Sequence, residues 1–486
     1  MAEKLFIGYY NEVHMFVTGS NEGLEHELRD TFSFFIPGFR YMPAYKRGSW
    51  DGKIRLYNQQ TKLVYVGLLQ RIIQFAKDRD YDVEVDPKIP SSTNWTREQL
   101  QSAIDSLELT LTPYDYQFQA VLDALNAERK TILIPTGGGK SLCIYLLARL
   151  LNVKTLIIAP TTSLLHQMQG DFKNYGYDED CHLIYSGRDK NFDEMIGIST
   201  WQSIFKMPRT WFQQFGCVIV DEVHGAKAKS LTGILEKMTN TKYRFGTTGT
   251  LDGTEANELV IEGLLGAVSR VVTTDNLIKK EVLADFSVNC ILLKWDDKAC
   301  QVVSQYTYQE EVDWIVNNEK RNKIITQMVV NKPGNNLVLV NFVDKHAKHL
   351  LEMLQKATDR PIYYIHGGVP ADVRDGYRAQ IENETDAIIL ATTKAFATGT
   401  NIKRLNNIYF THPSKSRITT LQAIGRVLRR SNEKTSACLY DIVDDLSYQK
   451  KQNFSMLHFY ERLKIYVAER FPYKIKKYGY RKDTNE

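Results

Sequence analysis

The chain has 486 residues, room for about three domains of ordinary size. Its 43% hydrophobic and 24% charged residues are the balance of a packed globular protein and exclude a disordered or fibrous chain. The net charge of +5 excludes a globally basic surface, so any nucleic-acid contact must come from a local patch.

In chain order, Lys4 to Phe16 reads as two short strands, and Glu22 to Phe35 as a helix ended by Pro37 and Gly38. The segment FRYMPAYKRGSWDGKIRLY then interleaves Arg40, Lys46, Arg47, Lys53 and Arg55 with Tyr41, Tyr45, Trp50 and Tyr57. Trp50-Asp51-Gly52 reads as a hairpin tip, because Asp-Gly accommodates positive φ. Basic and aromatic side chains on a small sheet suit phosphate contact with base stacking, and Arg40, Lys46, Arg47, Trp50 and Lys53 are the candidate nucleic-acid contacts. The alternative is a solvated hairpin whose aromatics face its own helix. Gly67 to Asp78 predicts a second amphipathic helix, Tyr81 to Val85 a strand, and Pro87 to Asn94 a linker.

The most informative stretch is TILIPTGGGKS, Thr131 to Ser141. Thr131 to Ile134 is apolar and β-prone, Pro135 to Gly139 is a turn, and LCIYLLARLL after Ser141 reads as a helix. Strand, glycine-rich turn and helix start is the geometry that wraps a triphosphate. Glycines lack a Cβ, so backbone N–H groups close on phosphate oxygens, and the helix N-terminus adds partial positive charge. Thr136, Gly137, Gly138 and Gly139 form the cradle; Lys140 reaches the β/γ-phosphates and the Ser141 hydroxyl binds Mg²⁺. The full Walker A pattern wants glycine where this chain has Ile134. Upstream, Gln117 lies in TPYDYQFQA, where a side-chain amide can pair with an adenine edge.

Three later strands end in polar turns. Leu156 to Ala159 runs into PTTSLLHQ and Ile196 to Ile198 into STWQSI, placing Thr161 and Thr200 where they could hold a nucleic-acid phosphate. Cys217 to Val220 runs into Asp221-Glu222-Val223-His224. An acid at the C-terminal end of such a strand lies beside the phosphate loop, so Asp221 is the candidate Mg²⁺ partner and Glu222 the base for the attacking water. His224 carries no chemical role on this reading. In FGTTGTL, Thr248 and Thr250 could couple the acid loop to the second half of the chain.

TGGGKS, APTTSLLHQ, DEVH and TGT, in this order, resemble superfamily-two helicases and translocases. NLVLVNF at Asn336, IHGG at Ile365, ATTKAFATGTN at Ala391 and QAIGRVLR at Gln422 extend the resemblance. With FSFFIPGFRYMPAYKRGSWDGKIRL, the chain resembles the phage UvsW-type branch-migration helicases over nearly its whole length. The resemblance implies two tandem RecA-like lobes, mostly parallel sheets with helices on both faces, after a small N-terminal α+β domain. The expected boundaries are 1–90 for the accessory domain, 91–285 and 336–452 for the lobes, 286–335 for their connection and 453–486 for a helix and basic tail. It implies ATP-driven 3′→5′ unwinding, branch migration and fork regression on branched DNA, with ATP and Mg²⁺ as cofactors. Single-strand-binding or recombination proteins are the candidate partners, and a monomer is the expected state. Carried onto this sequence, Gln117 reads adenine, Gln422 positions water, Arg426 and Arg429 face the γ-phosphate, Gly399 lies near the nucleotide, and Thr161, Thr200 and Thr393 touch the DNA backbone.

Charge on a transferring phosphoryl group calls for a planar, always protonated donor, which suits Arg426 and Arg429; the bland alternative is a basic helix facing solvent or DNA. Tyr306 to Val330 predicts one long helix and Phe454 to Arg470 an amphipathic one. The end, Pro472 to Lys482, is basic and tyrosine-rich and reads either as a DNA-trailing or as a disordered, solubilising tail. An RNA motor of the same superfamily and a DNA-binding protein with a spent motor are the rival readings. The six cysteines (Cys143, Cys181, Cys217, Cys290, Cys300, Cys438) show no CxxC pair and predict neither a zinc site nor a disulfide framework. MAEKLFIGYYNE has no apolar signal core and no apolar run approaches the ~18 residues of a membrane span. A cytoplasmic protein is expected, in the host cell if the protein is a phage's.

Overall fold

Apolar, β-branched runs closed by Gly, Pro or a helix-capping residue set the strands of this chain. The computed structural model describes residues 3–89, 93–227, 229–397, 402, 404–431 and 434–479. The chain divides into two units: residues 1–134 with 139–272, and residues 135–138 with 273–486.

The first unit begins with β1 (Lys4–Tyr9), β2 (His14–Gly19), β3 (Ser33–Phe35), β4 (Lys53–Arg55), β5 (Leu63–Tyr65) and β6 (Asp82–Val85). Four of them form a sheet in the order β5-β2-β1-β6, and β3 pairs with β4. Two sequence expectations change here. The helix Glu22–Thr31 stops early, because Ser33–Phe35 pairs antiparallel with Lys53–Arg55. The tight hairpin tip at Trp50-Asp51-Gly52 is the end of a long connection holding the 3₁₀ turn Phe39–Tyr41 and the short helix Pro43–Lys46. Pro43 at the first helical position favours that turn. Gly52 does take φ +85°, as the Asp-Gly reading requires.

The larger sheet of this unit has β7 (Arg129–Leu133), β8 (Thr155–Ala159), β9 (His182–Ile184), β10 (Ile196–Thr200), β11 (Cys217–Asp221), β12 (Tyr243–Thr248) and β13 (Val268–Arg270). Their order is β13-β7-β12-β11-β8-β10-β9, and every pairing is parallel. One hydrophobic core runs from Leu5, Val17, Leu68 and Phe75 of the small domain into Val218, Leu235 and Leu264 of the lobe. Polar contacts fasten the same face. Arg71 bonds Glu262 through two nitrogens, each 3.0 Å from its own oxygen. Tyr65 Oη donates to Glu236 Oε1 at 2.6 Å, and Arg129 to the Glu12 carbonyl at 2.6 Å. Gly67 is demanded by packing: a Cβ there would lie 2.0 Å from the Glu262 carbonyl oxygen.

The second unit holds β14 (Asp285–Lys294), β15 (Asn336–Val340), β16 (Ile362–Ile365), β17 (Ile388–Thr392), β18 (Asn407–Phe410), β19 (Ser436–Asp445) and β20 (Tyr473–Gly479). They form a second all-parallel sheet in the order β16-β17-β15-β18-β19-β14-β20. The segment 286–335, expected as a connection, therefore gives this sheet all but the first residue of β14, a ten-residue strand paired along its length with β19. The long helix expected over 306–330 is two helices, Tyr308–Asn317 and Glu319–Val330. Asn318 separates them: it ends the first and caps the second, its side chain accepting from Arg321 N–H. The helix Phe454–Ala468 forms as predicted. The described part of the basic tail is ordered rather than a disordered tail, for Tyr473–Gly479 adds an exposed edge strand to β14. Arg321–Asp444 and Arg462–Asp441 are ion pairs buried in this lobe, with at most 1% of any partner exposed. Among the described residues no helix is long and apolar enough to cross a membrane.

Candidate active site

The order of strands in the first lobe decides what meets. β12 lies between β7, which leads into the phosphate loop, and β11, which ends in Asp221. Parallel strands deliver all their C-terminal ends to one edge, where open α/β sheets bind ligands. The loop turns on Gly137 (φ +85°) and Gly139 (φ +78°), both left-handed positions that favour glycine. Gly139 is constrained twice, since a Cβ would also lie 2.2 Å from Gln117 Nε2. The helix Lys140–Leu150 starts directly behind it.

Lys140 Nζ donates to Glu222 Oε1 at 3.0 Å. Asp221 is buried, and its Oδ1 accepts from Thr247 Oγ1 at 2.8 Å and from the Glu222 N–H at 2.9 Å. Thr247 is paired directly with Asp221 across β11 and β12. Glu222 Oε2 accepts from Thr248 Oγ1 at 3.3 Å and lies 3.2 Å from His224 Nδ1. Glu222 also sits at φ +54°, a left-handed backbone that a non-glycine residue holds only when its surroundings impose it.

The two adjacent acids are driven apart in basicity. Burial, then the neighbouring Glu222 carboxylate, pushes the Asp221 carboxyl up, against Lys140 and the Thr247 hydroxyl. Burial would push Glu222 up too, but the Lys140 ammonium and then His224 outweigh it and hold it below the usual carboxylate range. Opposite shifts on neighbouring titratable groups are a mark of acid–base sites.

Among the other predicted residues, Gln117 is buried. Its Oε1 accepts from Tyr114 N–H at 2.8 Å, and its Nε2 donates to the Gly139 carbonyl at 3.2 Å. Its amide thus braces the loop. Thr161 caps the helix Thr162–Asn174, and Thr200 bonds Ser203 at 2.8 Å. Thr161 follows β8 and Thr200 ends the neighbouring β10, where it pairs with Ala159. In the second unit, Thr393 Oγ1 donates to the Val340 carbonyl at 3.2 Å. Gln422 and Arg426 are four residues apart on the helix Arg417–Val427, hence on one face; Arg429 follows its end. The Arg426 guanidinium lies 5.5 Å from the centre of the Phe396 ring. Gly399 lies outside the described residues.

The N-terminal patch is sorted by burial. Tyr57 is 1% exposed and offers no open face, while Trp50 is half-buried with its indole N–H on the Lys53 carbonyl at 2.9 Å. Tyr41 is 81% exposed and Phe35 54%. Phe35 stacks on Phe39 at 4.7 Å, Phe39 meets Tyr45 edge-on at 4.8 Å, and Lys53 Nζ lies 4.9 Å from the Phe35 ring. Arg40, Lys46 and Arg47 rim this knob in sequence, while Arg55 is paired with Asp51.

Sequence reasoning missed Thr247 and the part played by His224. Period-two alternation along β12 could have indicated Thr247, which shares a face with Phe245. For His224 only its position two residues after the acid could have served.

The donor set fits a magnesium nucleotide: a hydroxyl, a buried carboxylate, an ammonium parked on a second carboxylate, and a loop whose glycines leave room for an anion. Comparison with known proteins agrees. Residues 7–86 match the family of the DNA helicase UvsW N-terminal domain, 110–253 the Type III restriction enzyme res subunit, and 319–431 the helicase conserved C-terminal domain. The ATP-dependent DNA helicase uvsW of Enterobacteria phage T4 is 33% identical over 483 residues, 94% of this chain and 96% of that one. Its crystal structure aligns over 99% of this chain and 100% of its own, with a TM-score of 0.52. A DNA 3′-5′ translocase, XPB2 of Sulfurisphaera tokodaii, is 27% identical over 37% of this chain and 42% of its own. A Type ISP restriction-modification enzyme, LlaBIII, bound to DNA, shares the fold with a TM-score of 0.56 at 16% identity. By length and identity of match, and by the two parallel lobes behind a small sheet domain, this chain belongs to the UvsW family of DNA helicases.

Proposed function

We propose that the protein is an ATP-driven DNA helicase that remodels branched DNA, migrating junctions and regressing forks with 3′→5′ polarity. The observation that carries the motor reading is the Lys140–Glu222 pair, with Asp221 and Thr247 behind it. Incoming phosphate competes with Glu222 for the Lys140 ammonium and so frees the carboxylate. Ser141 and Asp221 would hold Mg²⁺, directly or through water; such an ion would supply positive charge against the phosphate oxygens. Glu222 accepts the proton of the attacking water, and Thr248 and His224 fix the carboxylate for that task. Thr136 and Gly137 to Gly139 wrap the phosphates, and Gln117 braces the loop beside the base. Gln422 positions the water while Arg426 and Arg429 balance developing charge.

Thr161, Thr200 and Thr393, each at a helix start after a strand, hold the DNA backbone. The exposed Tyr41 and Phe35, with Arg40, Lys46, Arg47 and Lys53, suit stacking on unpaired bases beside phosphate. Trp50, bonded to the Lys53 carbonyl, is a further candidate in this patch. The same polarity in the archaeal translocase's name supports the 3′→5′ proposal. The DNA-helicase family of residues 7–86 supports DNA over RNA.

The test measures ATP turnover on forked DNA, linear duplex and structured RNA. Forked DNA is expected to stimulate most, and Lys140→Ala to abolish turnover while leaving DNA binding largely intact. Stimulation by RNA alone would overturn the choice of substrate; unchanged turnover in the variant would remove the assigned site.

A further inference from the structure

The proposed chemistry leaves one close polar contact at the phosphate loop unused. Tyr175 Oη lies 2.7 Å from Ser141 Oγ. Tyr175 caps the C-terminal end of the helix Thr162–Asn174, its N–H reaching the carbonyls of Asp171 and Phe172 at 3.0 and 3.1 Å. Its ring packs edge-on against Tyr145 with centroids 5.6 Å apart, and Tyr145 in turn meets Phe172 at 5.1 Å and Tyr177 at 6.1 Å. Ser141 and Tyr145 are four residues apart on the helix Lys140–Leu150, hence on one face. The same helix therefore supplies both the hydroxyl that Tyr175 touches and the ring that fixes its phenol.

A serine hydroxyl has one proton to give and two lone pairs. A cation on Ser141 Oγ takes a lone pair and turns the proton away. The phenol oxygen, 2.7 Å off, is placed to accept that proton. Removing a group that orients a metal ligand typically costs affinity for the metal more than it costs folding.

We propose that Tyr175 is a positioning residue for the divalent cation, its phenol oxygen accepting a hydrogen bond from the Ser141 hydroxyl so that a serine lone pair faces the metal. The proposal rests on the assignment of Ser141 to magnesium made above. It is tested on the full chain with a fluorescent, non-hydrolysable ATP analogue, first in excess EDTA and then with rising Mg²⁺. Tyr175→Phe keeps the ring and removes the oxygen. Its magnesium midpoint is expected to rise by roughly tenfold while affinity without magnesium is unchanged. An unchanged midpoint overturns the proposal. So does an equal loss with and without magnesium, which would make the residue a packing element. In a Ser141→Ala background Tyr175→Phe is expected to add nothing, and additive effects would also overturn it. Lys140→Ala separates the two levels: if it binds the analogue as tightly as wild type, the nucleotide site itself is misassigned, whatever Tyr175 does.

Discussion

At the scale of single residues, the site is built from opposite charges. Lys140 and Glu222 neutralise each other, and each is proposed to act on a different part of the nucleotide. Glu222→Gln separates these uses. The amide keeps the shape but neither takes a proton nor holds the ammonium as tightly. Turnover should fall by ~10²–10⁴, while the nucleotide analogue binds more tightly because Lys140 is released. Single-turnover hydrolysis with a parallel binding titration checks this, and weaker binding in the variant would mean the pair does not compete with phosphate. The glycines, Lys140, Ser141, Asp221 and Glu222 could all be picked out from sequence because phosphate chemistry admits few residue types in few spacings. The contact of His224 with Glu222 could not. It depends on the left-handed turn at Glu222, and no residue type announces such a turn when it is not glycine.

At the scale of elements, the buried strands were legible because both faces of a parallel sheet are covered, giving continuous apolar runs such as Leu156 to Ala159. The misreadings share one cause. β20 alternates Lys474, Lys476 and Lys477 with Tyr and Ile, and all its residues are exposed, so the backbone ladder to β14 stabilises it without a hydrophobic signature. Asn318 likewise splits a helical pattern whose apolar period continues on both sides. A further element carries a pH dependence. The π-helical turn Val343–Ala347 after β15 buries His346 completely, with both ring nitrogens lacking a hydrogen-bond partner. Burial, then Arg321, His412 and His349, holds its pKa well below the ordinary value. His412 is lowered to about 4, chiefly by burial. The unfolded chain therefore binds protons that the folded lobe refuses. Their contribution is fully present above the ordinary histidine pKa of about 6.5 and is lost as pH falls below it, at about 1.4 kcal/mol per pH unit for each proton. His346→Leu removes one proton and two orphaned polar atoms. It should raise stability by about 1–3 kcal/mol at pH 5 and flatten the dependence between pH 6.5 and 5 by one proton. Chemical denaturation at several pH values measures both, and an unchanged slope would place the acid sensitivity elsewhere.

At the scale of the whole molecule, the accessory domain shares a core with the first lobe and is not a separately tethered module. The linker-like composition of residues 87–94 concealed this, because a sequence shows where the chain is polar but not that Tyr65, Gly67 and Arg71 meet the far side of the lobe. Those contacts fall on the helix Glu255–Leu265 and on Glu236, elements that follow the acid loop in the chain. The domain that carries the exposed Tyr41 is therefore packed against the lobe that carries Lys140, Asp221 and Glu222, and DNA held at the proposed patch would be positioned relative to those residues. Charge reversal tests this. Arg71→Glu faces the nearly buried Glu262, 10% exposed, with a like charge, and should loosen the domain. Cleavage in the 87–94 segment by a protease should then rise severalfold, and stimulation of ATP turnover by forked DNA should fall while the DNA-free rate stays near wild type. The double variant Arg71→Glu with Glu262→Arg restores opposite charges and should recover both measurements. Recovery of proteolytic resistance without recovery of stimulation would mean that docking alone does not place the DNA; no effect of Arg71→Glu on either would mean that the apolar core holds the domain unaided.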